Sequence, residues 1–270
     1  VERTEGVVYA ERGGTNLTID VVVPKSGANG AGVVLVVSGG WQSDPANIDP
    51  WIFAPLTRAG YTVFAVSHLS QPEATVDEIF EDVSRGVRWV RHHAGDYGVD
   101  PGRIGVTGGS AGGHLSLLLA TRGGPGPVDA ADEVGRESSA VQAVGIFFPV
   151  TDLLNLGEST ENDGKGGPPK SYVEAFGEEA KDMKVWREEI GRELSPIYHV
   201  SAEMPPVLII HGDEDTLTPL DQSTRFVEAA EAVGAEVELV VKPGKGHGWV
   251  TMVWDLRRVG EFFDGVLLEE

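Results

Sequence analysis

Seven short runs of almost unbroken apolar residues constrain this chain more than any other feature. They are LTIDVVV at 17–23, VVLVVS at 33–38, YTVFAV at 61–66, RIGVT at 103–107, VQAVGIFF at 141–148, PVLIIH at 206–211 and VELVV at 237–241. A strand with one wet face alternates apolar with polar residues, so near-continuous runs suit strands covered on both faces. Helical spacing fills the intervals. DEIFEDVSRGVRWVRHHA at 77–94 puts Ile79, Val83, Val87 and Val90 on one face, and HLSLLLA, DQSTRFVEAAEAV and WVTMVWDLRRVGEFFDGVL follow. Strand alternating with helix predicts an α/β fold, a mostly parallel central sheet flanked by helices, with antiparallel edges left open. Residues 149–200 break the rhythm: ENDGKGGPP and the amphipathic YVEAFGEEAKDMKVWREEI are too polar for a central strand. They are expected to form a small loop-and-helix insertion, a partial lid over the carboxyl edge of the sheet. The 270 residues, 41% hydrophobic, suffice for one sizeable core, so a single domain over 1–270 containing that cap-like insertion is expected.

Charge and composition narrow the function classes. With 21 basic and 42 acidic residues the formal charge is -21. Such a surface repels phosphate backbones and anionic membranes, so neither nucleic acid nor a membrane is expected as a partner. The run GVVLVV at 32–37 is far too short to cross a bilayer. Cysteine is absent, which removes thiolate nucleophiles, thiolate metal sites and disulfides. There is no H-E-x-x-H and no phosphate-binding G-x-x-x-x-G-K-[ST], and no metal or cofactor is expected. The chain does not open with methionine. A soluble protein is expected, with a secreted or periplasmic location after loss of a leader and a cytoplasmic location both open, and oligomeric state open as well.

The segment GGSAGG, Gly108 to Gly113, stands between an apolar run and a helical pattern. Gly108, Ser110 and Gly112 satisfy G-x-S-x-G, in which glycines on either side let strand and helix approach while the serine hydroxyl stands exposed at a sharp turn. A tight turn without chemistry has the same appearance. A serine hydroxyl is a weak nucleophile until a base takes its proton, and the base needs a carboxylate to hold its tautomer. Among seven histidines, His247 lies in KPGKGHGW, after the last apolar run and before the final helix. Asp215, in HGDEDTLTP, follows the buried run PVLII, with Asp213 and Glu214 as close rivals. The order Ser110, Asp215, His247 is that of α/β-hydrolases. The amide of Ala111 and one amide of Gly40 or Trp41, in the loop SGGWQ at 38–42, are the expected donors to the oxyanion. His114, one turn past Ser110, packs beneath the elbow or lines the cleft, and His211 ends a buried strand as a structural hydrogen-bonding residue.

Four blocks, VVLVVSGGW, DPGRIGVTGGSAGGHLSLLLA, SPIYHVSAEMPPVLIIHGDEDTLTP and GKGHGW, occur in order and carry a family likeness. From about Leu17 to the last helix the sequence resembles α/β-hydrolase fold esterases and lipases, specifically the branch of bifunctional feruloyl and acetyl-xylan esterases. The resemblance implies Ser110 as nucleophile, Asp215 as acid, His247 as base and Gly40, Trp41 and Ala111 around the oxyanion, with no cofactor. It departs at Ser38-Gly39-Gly40-Trp41, where the group usually carries His-Gly-Gly. It further implies a serine carboxylesterase acting through an acyl-enzyme on short-chain or aromatic acyl esters, free or linked to polysaccharide. Trp41, Gln42, His68 and Trp186 are the candidate substrate contacts, with Tyr172 as a second roofing residue from the insertion. A serine peptidase or amidase of the same fold, including a formamidase, is one alternative, and a non-catalytic binding protein on this fold is another.

Overall fold

The computed structural model describes residues 1–269. Its strands are β1 (Glu2–Arg12), β2 (Thr15–Val23), β3 (Gly32–Val36), β4 (Thr62–Val66), β5 (Ile104–Gly109), β6 (Ala143–Phe147), β7 (Val207–Gly212) and β8 (Val237–Lys242). They form one sheet in the order β1-β2-β4-β3-β5-β6-β7-β8. β2 pairs antiparallel with both β1 and β4, and every pairing from β4 to β8 is parallel. The seven apolar runs each became a strand, within a few residues of the expected bounds.

Side chains alternate across a strand, so a run buried on both faces feeds two cores. Val34, Val36, Phe64, Val66 and Val106 pack on one side, against α2 (Val76–His93) and α3 (Ala111–Arg122). Val33, Leu35, Val63 and Ala65 pack on the other, against α1 (Pro50–Arg58) and a C-terminal helix, Met252–Phe263. Helix α2 opens on a capping box: Thr75 accepts from the Glu78 amide, and the Glu78 carboxylate accepts from the Thr75 amide at 2.8 Å.

Two elements escape the apolar pattern. β1 reads ERTEGVVYAER and is an edge strand with two register irregularities, so its alternation is broken and mostly polar. Helix α1 carries Pro55 in its interior, normally a helix-breaking signal.

Short helical turns are α4 (Glu133–Arg136) before β6, then α5 (Met183–Val185) and α6 (Gly191–Glu193) between β6 and β7; the longer helices α7 (Asp221–Val233) and α8 (Met252–Phe263) follow β7 and β8. The segment 149–200 thus has the loop-and-helix character expected of it. Its root is tied to α7, where the buried Gln222 side chain accepts from the Thr151 and Asp152 amides, each at 2.9 Å, and donates to the Asn155 carbonyl at 2.8 Å. Among the described residues, no helix is long and apolar enough to cross a membrane.

Candidate active site

Strand β5 runs to Gly109 and α3 begins at Ala111, leaving Ser110 alone to turn the chain. Its φ of 55° and ψ of -121° are costly for a residue with a side chain. The strand–helix crossing explains its flanking glycines. A Cβ on Gly108 would lie 2.7 Å from the Gly112 carbonyl group, and one on Gly112 would lie 2.8 Å from the Val36 oxygen. Gly108→Ala is expected to destabilise the protein by about 2 kcal/mol, because neither contacting backbone can yield; urea unfolding of the folded variant checks this.

Three distant side chains meet at the turn. Ser110 Oγ lies 2.9 Å from His247 Nε2, and His247 Nδ1 lies 2.7 Å from Asp215 Oδ2. A carboxylate only accepts, so Nδ1 carries the proton and Nε2 is free to receive one from the serine. Asp215 Oδ1 accepts from the amides of Leu217 and Thr218, both at 2.9 Å. Burial alone would raise the Asp215 carboxyl, but hydrogen bonds from His211, His247 and the Thr218 amide hold it well below the usual carboxylate range. Asp213 instead accepts from the Gly244 amide at 2.7 Å and braces the turn that precedes His247, while Glu214 faces solvent.

The SGGWQ loop is a two-residue hairpin. Gly39 and Gln42 exchange backbone bonds of 2.9 and 3.0 Å, and the central Gly40 and Trp41 have φ of 56° and 58°. Positive φ at both central positions is the signature of a type I′ turn, unusual with tryptophan as the second residue. The indole holds it there. Trp41 Nε1 donates to His114 Nδ1 at 3.1 Å, and His114 Nε2 donates to the Leu194 carbonyl at 2.7 Å. Burial pushes the His114 imidazole down to about 4, so it stays neutral and keeps Nδ1 as an acceptor. His114 therefore lies beneath the elbow, bracing the loop that lacks the usual histidine at position 38; the Ser38 hydroxyl has no partner. Sequence reading offers no signal for the Trp41–His114 pairing beyond the helical offset of His114 from Ser110.

Two cavities meet at Ser110. A small one, about 40 Å³, is walled by Gly40, Trp41, Ala111, Val150, Leu156, Tyr172 and Leu217. An open one, about 520 Å³, is bordered by Gln42, Asp44, Asn47, Trp51, Phe148, His247 and Met252. The non-glycine residues with positive φ among the described residues are Trp41, Ser110 and Phe148, and all three border these cavities. Strain gathered at one place is the mark of a functional site. A larger cavity, about 720 Å³, fringed by six carboxylates between Thr75 and Leu194, contains none of these residues.

Of the candidate substrate contacts, Trp41 lines the small cavity and Gln42 the open one. Trp186 and His68 do not reach either. Trp186 is fully buried, packed edge-on against Phe176 with ring centroids 5.1 Å apart, and Phe176 in turn backs Trp41. An amphipathic segment turns its largest apolar side chain inward, so Trp186 supports the loop from behind while Tyr172 faces the cleft. His68 is buried with Nδ1 2.5 Å from the Leu69 carbonyl, and desolvation pushes its imidazole down to about 4. Trp51, half-exposed at the mouth of the open cavity, is a rim residue that the sequence reading missed, hidden in the proline-containing helix α1. Among the described residues no group of three or more histidine or acidic side chains could hold a metal ion.

An eight-stranded sheet of this order, a strained serine between a parallel strand and its helix, and an imidazole and carboxylate in line with it define the α/β-hydrolase fold and place a serine–histidine–aspartate set at its nucleophile-elbow position. The BD-FAE family model matches residues 19–230, and the chain belongs to that family. Among curated proteins it is similar to the esterase LipQ of Mycobacterium tuberculosis, 31% identical over 239 residues, covering 86% of this chain and 54% of LipQ. The chain spans about half the length of the curated relatives it matches. Among solved structures, the acetyl ester-xyloside bifunctional hydrolase from Caldicellulosiruptor lactoaceticus superposes with a TM-score of 0.79 at 23% identity, covering 97% of this chain and 96% of that one. A thermophilic esterase, Est2, from Thermogutta terrifontis superposes with a TM-score of 0.71 at 27% identity, covering 96% of this chain and 90% of that one. Est2 is also solved with propionate and with butyrate bound.

Proposed function

We propose that this chain is a carboxylic ester hydrolase for short acyl groups, with Ser110 as nucleophile, His247 as general base and Asp215 as the acid that orients it. The reading rests on one observation above all: the hydroxyl, imidazole and carboxylate stand in line at 2.9 and 2.7 Å, at the mouth of a small pocket walled mainly by apolar side chains, with Glu161 and Ser159 also on its border. Ser110 attacks the ester carbonyl as its proton passes to His247 Nε2. His247 then protonates the departing alkoxide, and an acyl-enzyme remains. Water activated by the same imidazole releases the acid and restores the serine.

Backbone geometry supports the oxyanion donors Gly40, Trp41 and Ala111. Ala111 opens α3, so its N–H has no intrahelical acceptor. The Gly40 carbonyl accepts from Gln71 Nε2 at 3.4 Å and the Trp41 carbonyl from the Gln71 amide at 3.0 Å. In a trans peptide the N–H points opposite to the C=O, so the Trp41 amide is turned away from Gln71. Likewise the Gly39 carbonyl is held by the Gln42 amide, which turns the Gly40 N–H the other way. Three amides around the small cavity can thus meet the charge of the tetrahedral intermediate.

Two cavities of different size suit the two halves of an ester. The small pocket receives the acyl chain, consistent with the propionate and butyrate bound in Est2. The open cavity receives the alcohol. Its border of Gln42, Asp44 and Asn47 with the half-exposed Trp51 suits a sugar ring, so the alcohol is carbohydrate, as the names of the C. lactoaceticus hydrolase and of a gut-microbiota carbohydrate esterase suggest for those proteins. A feruloyl group has no room in the acyl pocket and would have to reach into the open cavity. In a panel of acetyl, butyryl, octanoyl and feruloyl esters, kcat/KM for acetyl is expected to exceed that for octanoyl about a hundredfold, through overpacking of a fixed pocket. Equal rates for acetyl and octanoyl would remove the acyl assignment, and faster turnover of aminoacyl amides than of esters would make the protein an amidase.

A further inference from the structure

Asp215 serves two imidazoles. Besides His247, its Oδ2 faces Nε2 of His211 at 3.5 Å. His211 ends β7 and is fully buried, as is Ser223 on α7. Its Nε2 lies 2.7 Å from the Thr218 carbonyl and its Nδ1 lies 2.7 Å from Ser223 Oγ. A carbonyl only accepts, so Nε2 carries the proton. Nδ1 is then the acceptor for the Ser223 hydroxyl, and every polar atom of the pair is used. The Nε2–H is shared with the Thr218 oxygen at 2.7 Å, and Asp215 Oδ2 stands 3.5 Å from the same nitrogen. A second serine–histidine pair thus approaches the same acid from inside the fold, opposite the pair at the cleft.

We propose that His211, oriented by Ser223, is a positioning residue that fixes Asp215 Oδ2 against His247. The division of labour at the carboxylate supports this. Oδ1 is held by two backbone amides, from Leu217 and Thr218. Oδ2, the oxygen that holds His247, has no backbone donor; the other polar group beside it is the His211 Nε2–H, 3.5 Å away, which also bonds the Thr218 carbonyl. His211 also anchors the loop that carries those amides, through the Thr218 carbonyl. The aromatic ring of Phe148 bridges the two imidazoles, 4.5 Å from His247 and 6.5 Å from His211, with φ of 34° at its own backbone. Chains of hydrogen bonds polarise one another, so a hydroxyl donating to Nδ1 strengthens the Nε2–H as a donor.

The inference rests on the reading of Ser110, His247 and Asp215 as the reacting set, and its test separates the two. On a short-chain ester, His211→Leu is expected to lower kcat about tenfold or more with KM unchanged, since small misplacement of a catalytic group affects the chemical step. His211→Gln, whose amide can donate toward the same oxygen, is expected to recover most of that loss. Ser223→Ala, a small change inside α7 that serves should His211→Leu fail to fold, is expected to lower kcat about threefold at constant KM by releasing the ring orientation. A kcat within twofold of wild type in folded His211→Leu or in Ser223→Ala overturns the positioning role. So does a His211→Gln variant no better than His211→Leu, or a loss that falls on KM. Full activity in Ser110→Ala would overturn the underlying reading instead.

Discussion

Replacing Ser110 by alanine is expected to abolish ester hydrolysis, with kcat on an aryl acetate falling by about 10⁵-fold while the protein stays folded. Among the residues bordering the small pocket, Ser159 donates its hydroxyl to the Leu217 carbonyl, so it is engaged away from His247. The residual rate measures what the amides and the pocket contribute without a nucleophile. Activity and covalent labelling by a fluorophosphonate should vanish together, with thermal unfolding as control. Labelling of wild type at Ser110 and its loss in the variant would establish the nucleophile. A folded, accessible wild type that resists labelling would favour a binding protein.

Asp215→Asn is expected to cost about 10⁴-fold in kcat without displacing a main-chain atom. Two amide N–H groups meet Oδ1, so the carboxamide of the variant must put its oxygen there. Its NH2 then faces His247 Nδ1. That nitrogen can no longer donate; it becomes an acceptor and the ring proton moves to Nε2, which then points at Ser110 Oγ and cannot take its proton. The substitution reverses the tautomer while preserving the shape. A pH series of kcat/KM checks it: activity in the variant should rise toward high pH, where hydroxide or the alkoxide form of serine substitutes for the base. A loss of less than tenfold would mean that another carboxylate orients His247.

Sequence exposes what repeats and what is punctuated by glycine. The two-sided burial of β3 to β7 leaves unbroken apolar runs, and G-x-S-x-G, HGDED and GKGHGW mark turns whose shape leaves few alternatives. The elements that escape are those whose pattern is set by surroundings. β1 is an exposed, irregular edge, and α1 carries an internal proline. Side chains in the insertion are harder still: Trp186 and Tyr172 are both aromatic residues of one polar stretch, yet one is sealed against Phe176 and the other stands over Gly40. Which is which depends on packing against Trp41, a residue 145 positions from Trp186 in the chain (186 minus 41). His68 illustrates the same limit, since nothing in SHLSQP tells a rim histidine from a buried one.

The Tyr172 ring stands 2.9 Å from where a Cβ on Gly40 would be, and it meets the Trp41 indole edge-on with centroids 5.4 Å apart. The covering segment and the donor hairpin are therefore one mechanical body. Swinging the cover aside would strip the Tyr172 ring from Gly40 and Trp41, so movement of the cover is coupled to the packing of the hairpin whose amides would receive the negative charge. On the proposed function, an ester would then enter past Trp51 through the open cavity, the alcohol would leave the same way, and water would follow it in to release the acyl group.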